Sequence, residues 1–149
     1  MGNFISDLKD GFKRGNISLQ FIYINVGIFV VTTLISVFLM LFNWDASSWL
    51  QYLELPAWMP LFLSQPWTLL TYMFLHVGAL HLLFNMLWLY WFGQLFLSFY
   101  SARHFRGLYL LGGICGGLFY MLALNVFPYF TPYIYISTLL GASASVLAI

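Results

Sequence analysis

The chain has 149 residues, 62% of them hydrophobic and 6% charged, with a mean hydropathy of +0.90. Soluble domains carry about 25% charged residues, so this composition excludes one and defines a polytopic membrane protein. A net charge of +1 without a dense basic patch excludes a nucleic-acid partner on electrostatic grounds, and the single cysteine, Cys115, leaves the redox compartment unread.

In chain order, residues 1–17 carry Lys9, Lys13 and Arg14 with Asp7 and Asp10, and place Phe4, Ile5, Leu8 and Phe12 on one side of a helix. That spacing predicts a short amphipathic segment in the headgroup region. The apolar run behind it is long enough to span a bilayer, so no cleavable signal peptide is expected. Residues 18–149 then form one membrane domain. Ser18 to Phe42 is the first span, free of charge, with Asn25 as a structural polar residue. The connection from Asn43 to Trp67 holds Asp45, Glu54, three prolines and the aromatics Trp44, Trp49, Tyr52, Trp58 and Trp67. It reads as a folded loop half sunk in the interface, where amphipathic rings prefer to sit.

The second span is predicted from Gly78 to Tyr100, with Gln65 to Val77 as its lead-in, and Ser101 to Arg106 as a basic turn. Leu108 to Phe127 forms the third span, whose Gly112, Gly113, Gly116 and Gly117 allow close approach of a neighbouring helix. Pro128 and Pro132 break it. A fourth apolar segment starts near Ser137 and continues to Ile149. The expected fold is all-α, a polytopic transmembrane helical bundle with about four spans. Basic residues before the first span and between the second and third place both on the cytoplasmic side, with the acidic first connection opposite.

Three polar side chains then share a shallow depth on the outer side. His81 and Asn85 are four residues apart and so lie on one helix face, roughly 40° apart at about 100° per residue, while His76 points elsewhere. Ser143 stands in the small-residue run Leu140-Gly141-Ala142-Ser143-Ala144-Ser145. A serine in a span is ordinarily a packing residue bonded to its own backbone, and a histidine with an asparagine ordinarily links helices. Against that, ionisable groups inside the membrane are costly and mark function. A metal or transport site on His76 and His81 lacks a nearby carboxylate or cysteine ligand, so no metal is expected.

The arrangement H-x4-H-x3-N at His76, His81 and Asn85, with G-x-S at Gly141 and Ser143 on the next span but one, resembles the rhomboid family of intramembrane serine proteases. The likeness runs along essentially the whole chain, from the basic start through the aromatic loop and the glycine-rich third span. It implies a rhomboid-like bundle of six spans, of which the chain holds about four and ends within the nucleophile helix. It implies cleavage of membrane-protein substrates in or near their transmembrane segments, without cofactor, by a multi-pass protein of the bacterial inner membrane. Ser143 matches the nucleophile, with Gly141 making room at the helix start, and His81 and Asn85 match the oxyanion-hole side chains. His76 matches a supporting residue, read here as a hydrogen-bonder to the first loop. Ala144 stands where the family often has glycine. The family's general base is a histidine on the sixth span, which none of His76, His81 and His104 replaces, so the chain alone is expected to be inactive. The alternative the resemblance leaves is an inactive relative that binds membrane clients.

Overall fold

The structure is a computed structural model that describes Phe12 and residues 15–45 and 48–149; apart from Phe12 and residues 15–17, the expected amphipathic segment lies outside the described residues. Three long helices dominate: α1 (Ile17–Leu41), α5 (Ala79–Phe99) and α6 (Ala102–Val126), each long and apolar enough to cross a membrane. Between α1 and α5 lie α2 (Ser48–Gln51), β1 (Leu55–Pro56), α3 (Met59–Ser64), α4 (Thr68–Thr71) and a 3-10 turn over Tyr72–Phe74. After α6 come a 3-10 stretch at Pro128–Tyr133, β2 (Thr138–Leu139) and α7 (Ser143–Leu147). The chain is thus an all-α bundle with, among the described residues, one two-residue antiparallel pairing, Leu55 opposite Leu139 and Pro56 opposite Thr138.

Each span buries a narrow stripe and leaves the rest apolar and exposed, the pattern of a helix solvated by lipid. On α6 the buried residues are Phe105, Tyr109, Gly113, Gly117 and Met121, a strict four-residue repeat. On α5 they are Leu82, Asn85, Met86, Leu89 and Gly93. On α1 they are confined to the first turns, at Ile17, Ser18, Phe21 and Asn25, while Val30, Val31, Leu34, Phe38 and Leu41 beyond them are exposed. Buried Asn25 donates to the Phe21 carbonyl at 2.8 Å and to Tyr109 Oη at 3.2 Å, a structural role on the axis of the bundle.

Polar side chains fix how the helices meet. Asn16 caps α1 by accepting from the Leu19 amide, and its own amide reaches Gln94 near the end of α5. Two residues on, Ser18 Oγ donates to the Leu89 carbonyl at 2.9 Å beside Gly93, where a side chain would collide with Ser18. α1 and α5 are therefore antiparallel. Between α5 and α6 only Tyr100 and Ser101 intervene, so the expected turn at 101–106 is shorter than the sequence suggests. Arg103, His104 and Arg106 belong to the first turns of α6, because arginine is a good helix former and a helix end at headgroup level tolerates its charge.

The glycines of α6 receive α7, as expected of a small-residue face. Gly112 lies against Ala148, and a Cβ on Gly116 would stand 2.5 Å from Ala144 Cβ. That contact explains how Ala144 is accommodated: the methyl it adds occupies the space Gly116 leaves empty. Gly116→Val would drive two methyls into a helix backbone that has no room to retreat. We expect it to destabilise the protein by about 1–3 kcal/mol, measured by thermal unfolding in detergent.

Candidate active site

The lead-in to α5 turns out to be the centre of the molecule. Thr68, Tyr72, Met73, Leu75 and His76 are buried, and the Tyr72 hydroxyl donates to the Gly113 carbonyl of α6. The folded first connection is tied to this centre and to the segment before α7. Thr71 Oγ1 donates to the Leu53 carbonyl at 2.6 Å, Ala57 N–H to the Ser137 carbonyl at 3.0 Å, and Thr138 Oγ1 to Glu54 at 2.6 Å. Asn125 near the end of α6 donates to the Ala57 carbonyl at 2.9 Å.

This frame positions Gly141. Its N–H donates to the Tyr72 carbonyl at 2.9 Å, and its φ of +129° lies where L side chains are strained. Residues 137–142 are strand and turn rather than helix, so the fourth helix begins at Ser143, six residues later than hydropathy alone suggests. The bend carries the chain beneath His81. A Cβ on Gly141 would stand 2.9 Å from His81 Cε1, 3.1 Å from His81 Nε2 and 3.9 Å from Ser143 Oγ. The imidazole edge and the hydroxyl therefore lie around one point, held open by the missing side chain.

Ser143 is exposed, whereas Ser145 is fully buried with its hydroxyl 3.8 Å from Met73 Sδ. Ser145 is the packing serine of the run. The first helical bond of α7 runs from Val146 N–H to the Ala142 carbonyl at 2.9 Å, so the Ser143 amide precedes the ladder and has no helical acceptor. Asn85, 7% exposed, sits one turn below His81 and donates one amide hydrogen to the His81 carbonyl at 2.8 Å. The amide carries a second hydrogen.

His76 departs from expectation. It precedes α5, so helical spacing does not apply to it, and the extended backbone at Leu75 and Gly78 turns its ring back against His81. The two ring centroids are 5.3 Å apart and nearly edge-on, and neither His76 nitrogen has a hydrogen-bond partner among the described residues. Among the described residues it makes no hydrogen bond to the first loop; it lines a cavity of about 440 Å³ with Glu54, Leu140, Thr32 and Ser36. Burial, and secondarily the charge of His81, pulls the His76 imidazole down to about 4. Unfolded chains then bind a proton that the native state refuses, so native stability is full above about pH 6.5 and falls as pH drops toward 4. We expect the unfolding temperature to decline across that window and His76→Gln to flatten the decline, measured by thermal unfolding at stepped pH.

His104 lies at the far end of the bundle. Gly116 faces Ala144 and Gly112 faces Ala148, so α6 and α7 are antiparallel and Arg103 and His104 sit about 20 Å below Ser143 at 1.5 Å per residue. Among the described residues no group of three or more His, Cys, Asp or Glu is arranged to hold a metal ion. Sequence reasoning missed Tyr72, whose carbonyl anchors Gly141, because a backbone acceptor leaves no mark in residue type.

Fold and site together define an integral membrane protein of packed apolar helices, with a serine hydroxyl and an imidazole brought together near one end and an asparagine bonded to that histidine's carbonyl. Residues 63–149, more than half of the chain, match the family model described as Rhomboid domain, and the chain belongs to the rhomboid family. No curated protein and no solved structure matches it.

Proposed function

We propose that the protein is an intramembrane serine endopeptidase that hydrolyses peptide bonds in or beside the transmembrane segments of its substrates. Ser143 attacks the scissile carbonyl, and its proton passes to a histidine that lies outside residues 1–149 and completes a Ser-His dyad. His81, the second amide hydrogen of Asn85 and the Ser143 amide hold the oxyanion; the peptide C–N bond then breaks as that histidine returns the proton to the departing amine, and water, deprotonated by the same histidine, hydrolyses the acyl-enzyme and restores the Ser143 hydroxyl. The observation that carries this reading is the gap at Gly141, around which the His81 ring and the Ser143 hydroxyl converge. Acyl transfer needs that convergence, because negative charge develops on a carbonyl oxygen within reach of the nucleophile.

The basic end of α6 faces the cytoplasm in this reading, and Ser143 opens toward the opposite side, where Asp45 and Glu54 lie. Water reaches the hydroxyl from there, and a substrate helix unwinds locally to present its backbone. The test is labelling of the full-length protein by a fluorophosphonate. Labelling that disappears in Ser143→Ala supports the protease, whereas a well-folded protein that resists the reagent while retaining membrane clients is the inactive relative.

A further inference from the structure

Where α5 ends at Phe99 and α6 begins at Ala102, the two helices leave a cavity of about 430 Å³ between them. Its walls include Phe96, Leu108 and Leu111, its mouth Arg103 and His104, and its floor is the bare backbone of Gly107. A Cβ built on Gly107 meets nothing within 4 Å among the described residues, so none of them fills the groove there. We propose that this groove binds one anionic phospholipid, with an acyl chain along Phe96, Leu108 and Leu111 and the phosphate against Arg103.

Three observations favour that occupant. The groove lies on the flanks of two spans whose adjoining residues, Leu95, Phe99, Leu110 and Leu111, are exposed hydrophobics, so the molecule that meets it is a lipid. Arg103 and Arg106 are exposed on the same helix end, and Arg103 makes no ion pair among the described residues. The only described acids, Asp45 and Glu54, belong to the connection after α1, at the other end of that helix. Cations without a described counter-charge, between spans at headgroup level, select anionic headgroups. Ser101 adds to this: its hydroxyl meets His104 Nδ1 at 2.9 Å and does not cap α6, leaving the first-turn amides without a side-chain cap at the same helix end as Arg103.

The proposal needs only that the chain lies in a bilayer and is independent of proteolysis. Native mass spectrometry of the full-length protein, offered phosphatidylglycerol or phosphatidylcholine with the same acyl chains, tests it. The unsubstituted protein should retain phosphatidylglycerol preferentially, and Arg103→Gln should cut that preference about fivefold. Gly107→Leu fills the groove without a clash, so it should lose both lipids while unfolding in detergent at the same or a higher temperature. Equal retention of the two lipids, or a preference that either substitution leaves intact, overturns the site. Stabilisation by inorganic phosphate equal to that by phosphatidylglycerol overturns it in favour of a bare anion.

Discussion

Ser143→Ala in the full-length protein is expected to bring cleavage of a transmembrane reporter to background, a fall of about ten-thousand-fold or more, since nothing else in the site supplies a nucleophile. Asn85→Ala should cost up to about a hundredfold, because it removes one donor from a site that keeps two others. The gap between the two effects is itself informative: a nucleophile is indispensable, whereas an oxyanion donor lowers a barrier. Ser145→Ala is the matched control. That hydroxyl is buried against Met73 and the bare backbone of Gly113, whereas the Ser143 hydroxyl borders the gap at Gly141, so cleavage should persist with little change in stability. Cleavage that survives Ser143→Ala, or that Ser145→Ala removes equally, would take the nucleophile away from Ser143.

Much of this arrangement is legible in the residues, and what is not has a physical cause. The first two spans, expected at Ser18–Phe42 and Gly78–Tyr100, lie at Ile17–Leu41 and Ala79–Phe99, because long apolar runs bounded by Asn16 and Gly78 leave few alternatives. The third starts at Ala102, six residues before the expected Leu108, since charge marks the end of the hydrocarbon and not the end of the helix. The segment before Ser143 was opaque for a different reason. Thr138 and Leu139 are apolar enough to read as span, yet they pair with Leu55 and Pro56 more than eighty residues away. A pairing at that distance has no local signature.

The candidate site divides along the same line. His81 with Asn85, and Gly141 with Ser143, are short-range patterns whose spacing survives into the structure. What brings one pair to the other is not: the Tyr72 carbonyl on the Gly141 amide, and the glycine face of α6 that lets α7 settle beside the core. His76 shows the hazard of extending a helical rule three residues beyond the helix. Outside the helix its ring returns to His81 instead of pointing away, and it occupies a cavity wall without a hydrogen bond.

Gly141→Ala is the second substitution with a large expected effect, and it tests the geometry without touching any reacting group. The backbone at φ +129° is open to glycine and costs about 1–3 kcal/mol for a residue with a Cβ. The added methyl would also stand 2.9 Å from His81 Cε1, inside contact distance, and the ring can yield only by leaving the point it shares with Ser143. Both responses act on the same place: either the bend relaxes and carries Ser143 away, or His81 turns out. We expect cleavage to fall about a hundredfold or more, as displacements of about 1 Å do in preorganised sites, with unfolding in detergent shifted by no more than the strain. Gly27→Ala supplies the comparison. That glycine lies within α1 with no described residue within 4 Å of a new Cβ, so alanine should stabilise by up to about 1 kcal/mol and leave cleavage alone. Fluorophosphonate labelling separates the two responses in Gly141→Ala. Slow labelling of a folded protein means that the hydroxyl has moved, and normal labelling with slow cleavage means that the oxyanion donors have.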